Sequence, residues 1–348
     1  MKIPKTLLTV NSFILFTFIA PITYMLWRFV NFSRSISSFF QSWNVFGLMF
    51  NTISVFFAVV FTSVLVGLLI SIVTVRFEFK GSKILFTLCV LPLVIPSYIG
   101  ALTYISAFSP KGLFVQIFNR YGIEEIAGIE GFLGSWLVLT LFTYPYVQLI
   151  CSSALRNLDS TVEDAARSLG VNQFKVYTSV VIPRLKKPII YSSLLVGLYV
   201  ISDFGAVSLM RYSTVTKAIY AYYELSILSD PVIFYSSLLI VLALLISFIQ
   251  RGSATSRSAK VSGTPRIPKK VRLERNGKVL VYSFLGGIIF LGLIIPVAVL
   301  GFWLFRGLYY GTDLTSSIPG ILGSFSASIV TSILAIVISM PIVILISQ

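Results

Sequence analysis

Eight apolar stretches, each long enough to cross a bilayer as a helix, constrain this chain more than any other feature. They run roughly over 7–31, 49–75, 84–107, 132–154, 188–208, 231–250, 279–303 and 320–346. A helix rises about 1.5 Å per residue, so about 20 apolar residues cover a ~30 Å hydrocarbon core. Lipid offers no partners to backbone N–H and C=O groups, and a helix satisfies them within the segment. The composition agrees: the 348 residues are 56% hydrophobic and 11% charged, with mean hydropathy +0.93. A soluble domain carries about 25% charged residues. An all-α integral membrane protein of about eight spans is expected. The first run is too long for a signal-peptide core and lacks a small-residue cleavage site, so it is expected to be retained.

A formal charge of +15 raises the question of nucleic acid, and the placement of the charges answers it. With the N-terminus in the cytoplasm, inner segments hold 20 of the 27 basic residues. Lys2 and Lys5, Arg76, Lys80 and Lys83 are among them, as are six in the connector 155–187 and nine in 251–278. The outer side holds Arg28, Arg34, Lys111, Arg120, Arg211, Lys217 and Arg306. This is the positive-inside pattern of a multi-pass protein of the cytoplasmic membrane. Attraction to anionic lipid accounts for most of the basic charge without nucleic acid. Cys89 and Cys151 lie in or at the edge of apolar runs and read as small buried hydrophobes. There is no histidine, the commonest general base and metal ligand.

One polar island, 155–187, has its own helix punctuation. Thr161 and Asp164 fit a capping box with aspartate replacing glutamate, Gly170 suits a left-handed helix stop, and Asn172 can open a second short helix that Pro183 ends. The spacing Asp164-Ala165-Ala166-x3-Gly170-x9-Val180-x-Ile182-Pro183 resembles the EAA loop of binding-protein-dependent ABC importer permeases. Asp164, Val180 and Ile182 depart conservatively from that pattern, and Glu163 beside Asp164 keeps the acidic character. The resemblance implies a type I ABC importer transmembrane domain. It also implies that Glu163, Asp164, Ala165, Ala166, Gly170, Val180, Ile182 and Pro183 couple the spans to a cytoplasmic ABC ATPase dimer. The alternative for this segment is an ordinary amphipathic connector.

Further residues resemble the iron(III) permeases of that family: Leu91-Pro92-x3-Pro96-x-Tyr98, Thr143-Tyr144-Pro145-Tyr146 and Ser202-Asp203-Phe204-Gly205. Intramembrane prolines bend helices and free carbonyls, often where a cavity is lined, though plain packing kinks do the same. A carboxylate at membrane depth costs on the order of 2.5–3.5 kcal/mol on insertion scales and so faces water or a protein partner. Pro92, Pro96, Tyr98, Tyr144, Pro145, Asp203 and Gly205 are therefore candidate pathway residues. For Asp203, a gating role and a packing role both stay open. Tyrosines 212, 220, 222 and 223 invite a ferric-ligand reading, against which stands an interfacial aromatic belt.

The resemblance implies one six-span permease unit over 1–250, a basic cytoplasmic linker over 251–278, and over 279–348 the first two spans of a second, incomplete unit. On that reading the chain is either a fragment or a natural short form. Expected partners are the ATPase dimer, a periplasmic or lipid-anchored substrate-binding protein, membrane lipids and a second permease chain. No P-loop, His-Glu-x-x-His or Gly-x-Ser-x-Gly motif occurs. The chain is thus expected to be no enzyme and to bind no cofactor, with ATP and Mg on the partner subunit. The expected cargo is ferric iron, with thiamine, phosphonate, sulfate or polyamine as alternatives within the class. An ion-coupled secondary transporter is the rival from outside it; such a protein would be expected to carry more intramembrane charge than Asp203 alone.

Overall fold

The computed structural model describes residues 5–31, 44–110, 112–119, 122, 128–158, 163, 166, 168–225, 230–254, 270–311 and 315–347. Two compact units emerge: 36–302, and a second made of 1–35 with 303–348. In the second, helices α1 (Lys5–Val30) and, at the far end of the chain, Ile318–Ser347 pack together, and Asn11 Nδ2 donates to the Pro341 carbonyl at 3.2 Å. Their large apolar side chains are broadly exposed, as lipid-facing helices require.

The larger unit is built on α2 (Val45–Arg76) and, later in the chain, α6 (Gly131–Arg156). Lipid supplies no hydrophobic drive between helices, so close packing and interhelical hydrogen bonds must hold them. The seam is made of small and hydroxyl residues. Ser63 Oγ and Thr143 Oγ1 lie 3.0 Å apart, Thr62 Oγ1 and Thr140 Oγ1 2.8 Å, and Ser71 Oγ donates to the Gln148 carbonyl at 3.0 Å. A Cβ added at Gly67 would lie 2.6 Å from Val147 Cβ and 2.8 Å from the Tyr144 carbonyl oxygen, so only glycine admits this approach.

The apolar run 84–107 does not form one straight helix. Helix α3 (Ser82–Val90) runs into a 3-10 turn over Leu91–Val94, and α4 (Ser97–Phe108) leaves with a bend of 94°. Pro96 is the cause: it bars Ile95 from helical geometry, and Ile95 is extended with ψ 116°. Helix α6 braces the break. Tyr144 Oη donates to the Cys89 carbonyl at 2.7 Å, and Gln148 Nε2 to that of Phe86 at 3.0 Å. After α5 (Leu113–Asn119) and α6 come α7 (Gln173–Val176), a π-turn over Tyr177–Val181, and α8 (Ile182–Arg184). A 60° bend then leads into α9 (Lys186–Ser202). The chain continues through α10 (Gly205–Leu209), α11 (Val215–Leu225), α12 (Asp230–Ala254) and α13 (Arg275–Ile289). A π-turn over Phe290–Ile294 leads into α14 (Ile295–Tyr309), and the terminal Ile318–Ser347 is α15. Six helices among the described residues are long and apolar enough to span a membrane, or eight if each bent pair counts as one.

Side-chain contacts sort the ends of these helices into two faces. On one, the two-residue strand β1 (Phe77–Glu78) pairs in parallel with β2 (Val271–Arg272), and Tyr282 Oη donates to the Lys80 carbonyl at 2.8 Å. On the other, Asn51 Nδ2 donates to the Ser213 carbonyl at 2.9 Å and the Val215 amide to Thr52 Oγ1 at 3.0 Å. The first face carries Arg76, Lys80, Lys83 and Arg156, and is the basic one.

Gly67→Leu is expected to destabilise the seam by roughly 1–3 kcal/mol or more through overpacking. Gly286→Leu, on a helix with nothing within 4 Å of the added Cβ, should be near neutral. Thermal unfolding of the two variants in detergent checks this; equal melting temperatures would rule out the seam as drawn.

Candidate functional site

The described residues of the island 155–187 fold as an elbow against the basic face. Gly170 has φ +78°, the left-handed value that favours glycine, and the Val171 amide donates to the Ala166 carbonyl at 3.1 Å. This six-to-one bond is the Schellman closure that ends a helix. The following helix opens where the Asn172 carbonyl accepts from the Val176 amide at 3.0 Å, and it runs one residue past Pro183, to Arg184. Pro183 follows directly on the π-turn over Tyr177–Val181, so its missing amide falls where the hydrogen-bond ladder has already shifted. Asp164 and Ala165, two of the expected coupling residues, lie outside the described residues.

Glu163 is not a solvated neighbour of the motif. Its Oε1 sits 2.7 Å from Arg76 Nη2, with both side chains almost fully buried (3% and 2% exposed). A buried charge is tolerated only when paired, so this contact fixes the start of the elbow to the end of α2. The apolar anchor of the elbow is Val181 and Leu185 packed on Leu155, flanked by Leu68, Ile72 and Val75. Sequence reasoning missed these residues and singled out Val180 and Ile182, which are half-buried. The buried positions Val176, Val181 and Leu185 are spaced by five and then four, because the π-turn over Tyr177–Val181 inserts a residue. A search at period 3.6 passes over that spacing.

A second cluster forms where two broken spans meet toward the other face. Helix α9 ends at Asp203, whose side-chain Oδ1 accepts from the Ala206 amide at 2.9 Å and so caps α10. Its Oδ2 accepts from Ser97 Oγ at 2.5 Å, at the first residue of α4. The Asp203 carbonyl accepts from Thr216 Oγ1 at 2.9 Å. A Cβ at Gly205 would lie 2.6 Å from that of Tyr98, so α10 and α4 touch backbone-close. Asp203, Gly205, Pro96 and Tyr98 are therefore brought together. Tyr144 and Pro145 lie on α6, and Pro92 stands in the 3-10 turn, where Gly292 packs on it at 3.1 Å from the added Cβ. The Asp203 carboxylate is occupied by internal donors, which is what a helix-joining clamp does.

Of the four tyrosines weighed as ferric ligands, 212, 220 and 222 are engaged in packing, and Tyr223 is exposed. Tyr212 stacks edge-on with Phe132 and donates to the Asn51 carbonyl, Tyr220 lies 4.3 Å from Phe204, and Tyr222 stacks on Tyr235. The hydrogen bond to the Glu224 carboxylate, and its charge, hold the Tyr220 phenol above its ordinary pKa, which works against a phenolate. Among the described residues no three Cys, Asp or Glu side chains gather into a metal-holding group.

With bent spans, a basic face and a docked elbow in place, comparison with known proteins is decisive for class. Residues 63–256 match the family described as binding-protein-dependent transport system inner membrane component, and the chain belongs to that family. It is a multi-pass membrane permease of the ABC importer class. It is 27% identical over 320 residues to the Fe(3+)-transport system permease protein FbpB 2 of Haemophilus influenzae, covering 90% of this chain and 59% of that one. It is 28% identical over 155 residues to the sulfate transport system permease protein CysT of Escherichia coli, covering 44% of this chain and 54% of that one. The chain thus spans less than two thirds of the length of these relatives. Among solved structures, a bacterial alginate ABC transporter in complex with an alginate pentasaccharide-bound periplasmic protein aligns with TM-score 0.57. The identity is 14%, with 72% of this chain and 95% of that one covered. That likeness is one of fold.

Arg76→Ala or Glu163→Ala should cost roughly 3–5 kcal/mol, because each strands a buried charge. The reversed pair Arg76→Glu with Glu163→Arg should recover part of that loss, read as a coupling energy in a double-mutant cycle. Strict additivity would mean the two side chains do not interact. In the second cluster, Ser97→Ala and Asp203→Asn should lower the melting temperature by similar amounts and the double variant by no more than either. A full sum of the two losses would contradict the clamp.

Proposed function

We propose that this chain is the transmembrane permease of an ATP-driven importer and that its cargo is ferric iron. The coupling half of this reading rests on the buried Arg76–Glu163 pair, which fastens the elbow to the end of α2. In this reading the basic face and the N-terminus are cytoplasmic, which the distribution of Lys and Arg supports. A separate ABC ATPase dimer holds ATP and Mg and receives the elbow helices in a groove. A periplasmic or lipid-anchored binding protein delivers cargo to the opposite face, and this chain performs no hydrolysis. Closure of the ATPases pulls Glu163 to Pro183, the spans rock from inward- to outward-facing, and hydrolysis resets them. The proposed organisation is a permease unit over 1–250, a linker over 251–278 and the opening spans of another unit over 279–348.

Ferric iron is favoured because the iron-type relative aligns over 320 residues and the sulfate-type relative over 155. Sulfate is the second reading, and the 28% identity over that shorter stretch is what speaks for it. Proteoliposomes holding the permease with its ATPase and binding protein are expected to take up radiolabelled ferric iron on addition of ATP. Uptake of radiolabelled sulfate instead would replace the cargo, and uptake without ATP would overturn the class of mechanism. Gly170→Pro and Asp164→Arg should each abolish co-purification of the ATPase while leaving membrane insertion intact. Undiminished recovery of the ATPase would remove the elbow from the coupling role.

A further inference from the structure

On the basic face a cavity of about 420 Å³ opens between the ends of α2 and α6, the start of α3 and Lys270. Its lining includes Thr74, Ser82, Lys83, Phe86, Arg156 and Lys270, and no carboxylate. The three cations come from separate elements of the same compact unit, so the fold, and not a run of sequence, concentrates them. Among the described residues none of the three stands in an ion pair. Arg156 lies over the Phe86 ring at 5.2 Å, which holds its guanidinium at the cavity wall.

Two further features select the ligand. Ser82 and Lys83 are the first residues of α3, whose cap Gly81 supplies no side-chain acceptor, so helix amides add to the positive potential there. The apolar residues Ile84 and Leu91 are exposed, seven apart along the start of the bent span, with Thr87 of the cavity lining between them. A hydroxyl-rimmed cationic cavity thus adjoins an exposed apolar stripe at the end of membrane-spanning helices. We propose that this cavity binds a phosphoryl anion, and that its source is the headgroup of an anionic phospholipid whose acyl chains lie along Ile84 and Leu91. Lys83, Arg156 and Lys270 neutralise the phosphate, while the Ser82 hydroxyl lines the cavity as a donor for its oxygens. This site adjoins the elbow, sharing Val75 with its apolar anchor, and does not depend on the nature of the cargo.

The test uses the full chain purified in neutral detergent and titrated with short-chain phosphatidylglycerol, with phosphatidylcholine of equal chain length, and with inorganic phosphate. Native mass spectrometry and thermal shift are the readouts. Phosphatidylglycerol is expected to be retained and to stabilise, phosphatidylcholine is not. Lys83→Gln with Lys270→Gln, both exposed positions that leave the Arg156–Phe86 contact intact, should weaken phosphatidylglycerol binding by roughly an order of magnitude or more. Lys80→Gln, exposed but outside the cavity, should leave it unchanged. Equal saturable binding of inorganic phosphate, lost in the same double variant, would keep the site and reassign its source to a free anion. Unchanged phosphatidylglycerol binding in the double variant, or phosphatidylcholine binding equally well, would overturn the proposal.

Discussion

The seam between α2 and α6 is the contact on which the rest of the larger unit leans. In lipid, two helices gain little from burying leucine against leucine, so they must approach closely or hydrogen-bond. Here they do both, through Gly67 and through the hydroxyls of Ser63, Ser71, Thr140 and Thr143. With α6 held this way, its other side can brace α3 through Tyr144 and Gln148. That brace is what permits a span to break at Pro96 without leaving its carbonyls unpaired in a medium that cannot pair them. Breaks and rigid seam are thus two halves of one solution.

Much of this was legible from residues alone, and the limits of legibility have physical causes. All eight apolar runs correspond to spans or bent pairs, because length and hydropathy respond to the same bilayer thickness that the helices must cross. Gly170 was readable as a left-handed stop since few other residues take φ +78° at low cost. The break at Pro96 was readable as a bend, but the brace that holds it comes from Tyr144 and Gln148, 55 and 62 residues from the carbonyls they pair. The apolar anchor of the elbow, Val181 and Leu185, was hidden by a π-turn that shifts the helical period. The burial of Glu163 was unreadable altogether: beside Asp164 it looks like a solvated acid, and only its partner Arg76, at the far end of another helix, changes that.

Asp203 illustrates how structure narrows an open choice. A lone carboxylate in a span invites a gating role, and membrane energetics demand only that it meet something polar. What it meets is Ser97, the Ala206 amide and, through its own carbonyl, Thr216. Each belongs to a different segment, so one residue closes the junction of α4, α9, α10 and α11. Losing Ser97 or the Ala206 amide leaves a carboxylate oxygen without its donor, while losing Thr216 frees only the backbone carbonyl, so a packing role accounts for the carboxylate without contact with cargo.

Helix α2 is the element that touches both ends of this arrangement. Its 32 residues extend about 48 Å at helical rise. At one end Arg76 holds the elbow through Glu163; at the other Asn51 and Thr52 hold the segment 213–215, close to the Asp203 junction. The two attachments differ in kind. A buried ion pair contributes little net stability against an apolar alternative, yet is costly to separate, so it transmits force without setting the overall fold energy. The attachments at the other end are side-chain to backbone hydrogen bonds, worth about 1 kcal/mol each. In the proposed cycle a pull on the elbow would therefore reach α2 through Arg76 and be passed along the helix to 213–215.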